Sequence, residues 1–352
     1  MKKQYLTSDF DYYLPKDFIA NSPVSPRDNS KLLVYDSQND KIYHKHFYEI
    51  LDLLDNKDVI IRNKSKVISA RINFKMNNFN KEIFLLKKLD DSIYQALVEP
   101  GKNFKKDIKF PISKNLDVLV KEILDDGSRI IQFINNTNED LEILLEDLGE
   151  IPLPPYIENK NLDFADYQTV YADPKGSVAA PTAGLHFTEE LNKKLQNKEI
   201  EIEDVVLHVG RGTFSPVITD IIIDHKMHSE NFILDNETAK KLNRYKKEGR
   251  KFVSIGTTSV RTLESCYDDK KGFIPCDGET DIFISPGQYQ WKAVDKLITN
   301  FHLPKSTLIM LVASFLENKN VKDPVKKILS LYEIAKKENY RFYSLGDAMF
   351  IF

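Results

Sequence analysis

The chain has 352 residues, 41% of them hydrophobic and 29% charged, with a formal net charge of -3 and a sequence pI of about 6.2. That mixture buries a core and argues against disorder, and its mild acidity excludes a protein that coats nucleic acid non-specifically, so any RNA contact must use local basic patches. Two cysteines, Cys266 and Cys276, supply neither a zinc spacing nor a disulfide framework and fit a reducing compartment.

In chain order, the N-terminus MKKQYLTSDFDYYLPKDF lacks the apolar core of a signal peptide. No window of about 20 apolar residues follows anywhere, so a soluble cytoplasmic protein without a membrane segment is expected. Lys31–Asp36 and Lys41–His44 read as a hairpin-like pair. Phe47, Ile50, Leu51 and Leu54 then recur at helical spacing. From 59 to 150 short β-like runs dominate: Val59–Ile61, Glu82–Leu86, Ile93–Val98, Val118–Ile123 and Arg129–Phe133. Strands at this spacing predict a small barrel or sandwich. The same stretch carries Lys102, Lys105, Lys106 and Lys109.

Pro152-Leu153-Pro154-Pro155 marks a boundary, because three prolines in four residues fit neither a helix interior nor a central strand. Beyond it, Thr188 is placed to cap a helix, Val205–Leu207 reads as a strand, Asn236 as a second cap and Gly249 as a helix stop. Strand Phe252–Ile255 leads through Gly256-Thr257-Thr258-Ser259 into another helix. This rhythm predicts an α/β fold: a main α/β domain of 1-58 and 151-352, interrupted by an inserted small antiparallel β-barrel domain of 59-150.

Five of the seven histidines fall between 186 and 302. Four stand in distinctive strings: Ala180-Pro181-Thr182-Ala183-Gly184-Leu185-His186-Phe187, Leu207-His208-Val209-Gly210-Arg211-Gly212-Thr213-Phe214, Met227-His228-Ser229-Glu230 and Thr299-Asn300-Phe301-His302-Leu303-Pro304. Histidine handles protons near neutral pH, and neighbouring glycines let a backbone approach a ligand. Against this, a single histidine among apolar neighbours is more often a satisfied structural residue, and closeness along the chain is not closeness in space. His225 and His228 are three apart, yet no acid or cysteine completes a ligand spacing, so no metal is expected. Gly256–Ser259 lies where helix-terminal amides bind anions, or serves simply as an N-terminal cap. It is neither a P-loop nor a dinucleotide fingerprint, so ATP and NAD are not indicated. The basic run Lys240, Lys241, Arg244, Lys246, Lys247, Arg250 and Lys251 reads as a solvated helix face rather than a phosphate site. Arg27-Asp28 suits either a polar ligand or a surface turn.

These strings, in this order, resemble those of the S-adenosylmethionine:tRNA ribosyltransferase-isomerase family. The likeness takes in Asp9-Phe10-Asp11, Arg27 to Ser30, Pro152 to Tyr156, Tyr167 to Tyr171, Ala179 to Phe187, His208 to Phe214, Met227 to Glu230, Gly256 to Glu264, Thr280 to Gly287, Thr299 to Leu308 and Tyr340 to Asp347. The sequence departs from the family at Asn63-Lys64-Ser65, where Lys64 replaces an acid, at Ser69 in place of a proline, and at Leu345 in place of a tyrosine.

The resemblance implies an α/β domain carrying a six-stranded barrel, S-adenosylmethionine as ribosyl donor, and tRNA bearing a deazaguanine at the wobble position as acceptor. The products are epoxyqueuosine-tRNA, adenine and methionine. No metal is implied, and a monomer is expected. Within that reading His186 is nominated as the base, with His228 and Glu230 as the alternative pair. His302 or His208 would protonate departing adenine, and Glu230 or Asp28 would receive the proton of the acceptor amine. Gly256, Thr257, Thr258 and Ser259 would hold the methionine carboxylate or an anticodon phosphate, and Gly210, Arg211, Gly212 and Thr213 a phosphate. Arg27, Gln168, Thr169, Thr182, Gly184, Arg261, Thr299 and Asn300 complete the substrate-binding set. The rivals are an RNA methyltransferase and a non-catalytic RNA-binding protein.

Overall fold

The computed structural model describes residues 4–76, 78–154, 156–157, 159, 162–210 and 217–352. The chain forms two compact units: Met1–Ser65 with Pro154–Pro174 and Ala180–Phe352, and Lys66–Leu153 with Lys175–Ala179.

The first unit is built on a nine-stranded mixed sheet. At its centre Asp58–Asn63 runs parallel to Glu201–Leu207 on one side and to Lys251–Ile255 on the other. Lys296–Asn300 continues the parallel run beyond Lys251–Ile255. Ala348–Ile351 joins antiparallel, followed by Lys31–Asp36 in parallel and its hairpin partner Lys41–His46. The opposite edge is antiparallel, from Glu201–Leu207 through Glu230–Leu234 to Cys276–Thr280. The central strand does not alternate between buried and exposed residues, because both of its faces are covered. All six residues of Asp58–Asn63 are buried. Val59–Ile61, read from sequence with the middle stretch, therefore belongs to this sheet.

The helices follow local signals with some shifts. Thr188 caps Glu189–Asn197 as expected, accepting from the Leu191 amide at 3.0 Å. Helix Asn236–Lys247 is capped by Asp235 rather than Asn236, through the Thr238 amide at 2.8 Å. Gly249, at φ 74°, closes it. The Phe47–Leu54 spacing resolves into a 3-10 turn Phe47–Glu49 and one α turn Ile50–Leu53. Two α-helices of this unit had no sequence reading, Thr307–Asn318 and Pro324–Lys337. The first is buried around most of its circumference, so it offers no amphipathic period to detect.

The second unit is a curled seven-stranded antiparallel sheet. Its order is Gly149–Glu150, Arg71–Met76, Phe79–Lys88, Ile93–Glu99, Arg129–Asn135, Leu116–Ile123, Lys109–Pro111. Alternate residues turn inward to one core: Ile83 and Leu85, Tyr94 and Ala96, Val118 and Val120, Ile131 and Phe133. The strands expected within 82–133 are present, and Arg71–Met76 and Lys109–Pro111 add to them. Among the described residues no ladder joins Gly149–Glu150 to Lys109–Pro111. The sheet is thus a half-barrel, open where the sequence reading expected closure.

Candidate functional site

Parallel α/β sheets bind ligands beyond the carboxyl ends of their strands, and a cleft lies there in the first unit. It is a shallow cleft, about 500 Å³ of non-atom space when the open solvent at its mouth is counted. Strand Lys251–Ile255 passes directly into helix Gly256–Cys266. Gly256, at φ 81°, makes the reversal, and a side chain there would stand 3.3 Å from the Ala183 Cβ. No side chain caps this helix, so its first-turn amides keep their capacity for an acceptor. Thr257 and Thr258 line the cleft, and the Thr258 hydroxyl oxygen is buried with no hydrogen-bond partner.

Strand Lys296–Asn300 delivers the second wall. Thr299, Asn300 and His302 all line the cleft. The Thr182 hydroxyl donates to Asn300 Oδ1 at 3.0 Å, and Asn300 Nδ2 donates to the Tyr343 carbonyl at 3.2 Å. His302 Nε2 lies 2.9 Å from the Thr299 hydroxyl. The His302 amide donates to the Tyr332 hydroxyl at 3.0 Å, and its carbonyl accepts from the Tyr12 hydroxyl. Burial pushes the imidazole pKa down to about 3, so the ring is neutral at physiological pH. A neutral imidazole keeps one donor and one acceptor; Nε2 uses one of them on Thr299, which leaves Nδ1 as the nitrogen His302 has to offer.

The other expected residues lie elsewhere. His186 does not line the cleft: its Nδ1 faces the Ala183 carbonyl at 3.0 Å and its Nε2 the Gly346 carbonyl at 3.1 Å. It stacks on Phe47 with centroids 4.9 Å apart, and burial lowers its pKa. Both nitrogens face carbonyl oxygens, and the neutral ring has one N–H to donate to either of them, so His186 lies in a backbone setting away from the cleft. Gly184 is required by packing, since a Cβ would sit 2.1 Å from the Tyr171 hydroxyl. The Ser259 hydroxyl donates back to the Ile255 carbonyl at 2.8 Å, which withdraws it from the anion site.

Glu230 and Arg261 form a buried ion pair. Glu230 also accepts from the Gly210 amide at 2.8 Å, and Arg261 donates to the Thr280 carbonyl at 3.2 Å. Burial draws the Arg261 pKa down to about 10. The pair ties helix Gly256–Cys266 to the first residue of strand Glu230–Leu234, and neither group lines the cleft, although Val209 beside Gly210 does. The His208 amide is held by the Asn231 carbonyl at 2.8 Å, and burial lowers its ring pKa against the pull of Asp277. His228 is exposed. Arg27 donates to the Gln168 carbonyl at 2.7 Å and to the Ala165 carbonyl, which fastens the turn that carries Gln168 and Thr169, both buried. Asp28 accepts from the Thr188 hydroxyl at 2.9 Å. Arg211, Gly212 and Thr213 lie outside the described residues.

The basic run behaves as a solvated, paired face: Lys241 meets Glu203, Arg244 and Arg250 meet Glu248, and Lys251 meets Asp295. Among the described residues no group of His, Cys, Asp or Glu is placed to hold a metal, and no helix is long and apolar enough to cross a membrane. Seven lining residues had no sequence assignment: Ala180, Pro181, Ala183, Val209, Leu308, Tyr343 and Ser344. Each adjoins or falls within a distinctive string, but apolar and hydroxyl side chains carry no chemical flag of their own.

A profile of the family described as "Queuosine biosynthesis protein" matches residues 7–351. The chain belongs to this family. It is 48% identical over 348 residues to a protein of Thermosipho melanesiensis, covering 98% of this chain and 99% of that protein. It is 46% identical to one of Fusobacterium nucleatum, covering 98% and 96%. Both relatives are named S-adenosylmethionine:tRNA ribosyltransferase-isomerase. A crystal structure described as S-adenosylmethionine tRNA ribosyltransferase from Thermotoga maritima is 35% identical, with a TM-score of 0.55, covering 98% of this chain and all of that one. Thr182, Gly256, Thr257, Thr258, Thr299, Asn300 and His302, which lie in strings that the sequence singled out, line the cleft together.

Proposed function

We propose that the protein transfers and isomerises the ribosyl moiety of S-adenosylmethionine onto the aminomethyl-deazaguanine base at the tRNA wobble position, yielding epoxyqueuosine-tRNA, adenine and methionine. The observation that carries this reading is the convergence of Thr182, Gly256, Thr257, Thr258, Thr299, Asn300 and His302 on one cleft, in a chain related over 98% of its length to proteins named for that activity.

The cleft takes the sulfonium nucleoside. Its carboxylate end suits the uncapped first turn at Gly256–Thr258, where amides and the Thr258 hydroxyl await an acceptor. A sulfonium acidifies the adjoining ribose carbon, and a base must lie within hydrogen-bond reach of that proton. His302 is now the first candidate. Burial keeps it neutral, so it is no standing acid for departing adenine, and it works as a base only once bound substrate raises its pKa toward the operating pH. Thr299 orients its ring.

The half-barrel unit serves as an inserted domain, the role expected of residues 59-150, with the compact unit beginning at Lys66. The protein works as a cytoplasmic monomer on tRNA without a metal.

The test is to incubate pure protein with labelled S-adenosylmethionine and a deazaguanine-bearing anticodon stem-loop and to identify products by mass spectrometry. Adenine, methionine and ribosyl-extended RNA are expected. S-adenosylhomocysteine with methylated RNA, or RNA binding without cofactor consumption, would overturn the reading.

A further inference from the structure

Tyr343 is a non-glycine residue held at φ 72°, a left-handed conformation that bulky side chains rarely adopt. Its turn is fixed from several directions. The Asp347 carboxylate accepts from the Lys31 amide at 3.0 Å, the Arg341 amide at 2.7 Å and the Arg341 guanidinium at 3.1 Å. Gly346 admits no side chain, since a Cβ would stand 2.5 Å from the Arg341 carbonyl oxygen. The Tyr343 amide donates to the Phe301 carbonyl at 3.0 Å, and its own carbonyl accepts from Asn300 Nδ2 at 3.2 Å. His186 sits against the Gly346 carbonyl, which gives that buried histidine a place in the same support. Strain of this kind persists where the surroundings enforce it, and it gathers at functional sites.

The consequence of the turn is that Tyr343 and Ser344 line the cleft. The Tyr156 ring stands edge-on to Tyr343, with centroids 4.1 Å apart at 65°, and its hydroxyl meets Ser344 Oγ at 2.5 Å. Tyr343 is thereby held as a rigid aromatic wall, and apart from His302 it is the aromatic residue of the lining. The Gly256–Thr258 amides answer the anionic end of a sulfonium nucleoside. A flat heterocycle needs a flat, fixed partner.

We propose that Tyr343 seats the adenine of the sulfonium nucleoside by stacking, so that the base is held while its bond to the ribose breaks. This rests on the functional reading above and names the residue that selects the nucleoside. The experiment measures S-adenosylmethionine affinity by calorimetry for the wild type and for Tyr343→Phe, Tyr343→Leu and Tyr343→Asn, with thermal melts beside it. Base–aromatic stacking is strong enough for its removal to weaken binding about tenfold or more. Tyr343→Leu and Tyr343→Asn are expected to lose that much, and Tyr343→Phe to stay within about twofold.

Asparagine tolerates the left-handed conformation, which offsets part of the packing lost with the buried ring, so binding by Tyr343→Asn is measured below its melting transition, where the folded protein is expected to show the loss of affinity. Wild-type affinity in Tyr343→Asn overturns the proposal. A variant that keeps cofactor affinity but loses affinity for the stem-loop also overturns it, and assigns the ring to the RNA base. A wild type that binds no S-adenosylmethionine overturns the proposal together with the functional reading on which it rests, whereas wild-type binding matched by the variants sinks the stacking alone.

Discussion

At the cleft, the first turn of Gly256–Cys266 has no side-chain cap, the Thr258 hydroxyl has no partner, and His302 is held by its backbone and one ring nitrogen. At the antiparallel edge of the same sheet, Glu230 and Arg261 close on each other and take up Gly210 and Thr280 as well. Both regions are buried and polar. One keeps hydrogen-bonding capacity beside open space, and the other uses most of its capacity internally, with Arg261 Nε left over. A binding site is recognised by the first property, because an unsatisfied buried polar group is costly unless a ligand or water answers it.

This contrast sets the largest expected effect. His302→Ala should lower turnover by roughly 10²–10⁴-fold, the usual worth of a positioned acid–base group, read as adenine release with the melting curve as a control. His186→Ala should instead lower the melting temperature and leave turnover of the folded fraction within about tenfold. The reverse pattern would return the base role to His186.

Next in size is the ion pair. Glu230→Ala leaves Arg261 buried without its partner, which costs about 3–5 kcal/mol, measurable by urea denaturation. Replacing both partners with apolar residues of similar volume should recover much of that loss. Unchanged stability with abolished turnover would move Glu230 from support into the chemistry.

The smallest effect is on pH dependence. The His302 pKa of about 3 lies below its unfolded value of about 6.5. Between those values the unfolded chain binds a proton that the folded chain refuses. Stability is therefore fully present above about pH 6.5 and declines as the pH falls toward 3, by up to about 1.4 kcal/mol per unit from this residue. Burial lowers the His186 pKa as well, so it acts with the same sign. His302→Gln should flatten the acid limb of stability against pH, and an unaltered slope would deny that the ring is buried neutral.

The strands of the second unit were legible because one face of each is buried, which prints a period of two into Ile83–Leu85 and Ile131–Phe133. The closure of that sheet was not, since ladder pairing at its edges depends on register and curl that no single strand encodes. Thr188 was legible as a cap because the signal is local. Helix Thr307–Asn318 was silent because its burial on nearly all sides erases periodicity. At the site, Gly256–Thr258, Thr299, Asn300 and His302 were expected from their strings and line one cleft. His186 has neighbours as suggestive as those of His302, and only the Gly346 carbonyl, 160 residues away, shows what faces its Nε2.

Residue order alone determined the family, the α/β rhythm and the local caps and turns, all of which depend on neighbours within a few positions or on long strings kept in order. Tertiary structure decided which polar side chains satisfy one another and which face the cleft. Burial and long-range hydrogen bonding govern that choice, and both come into being only when strands far apart in the chain are brought side by side.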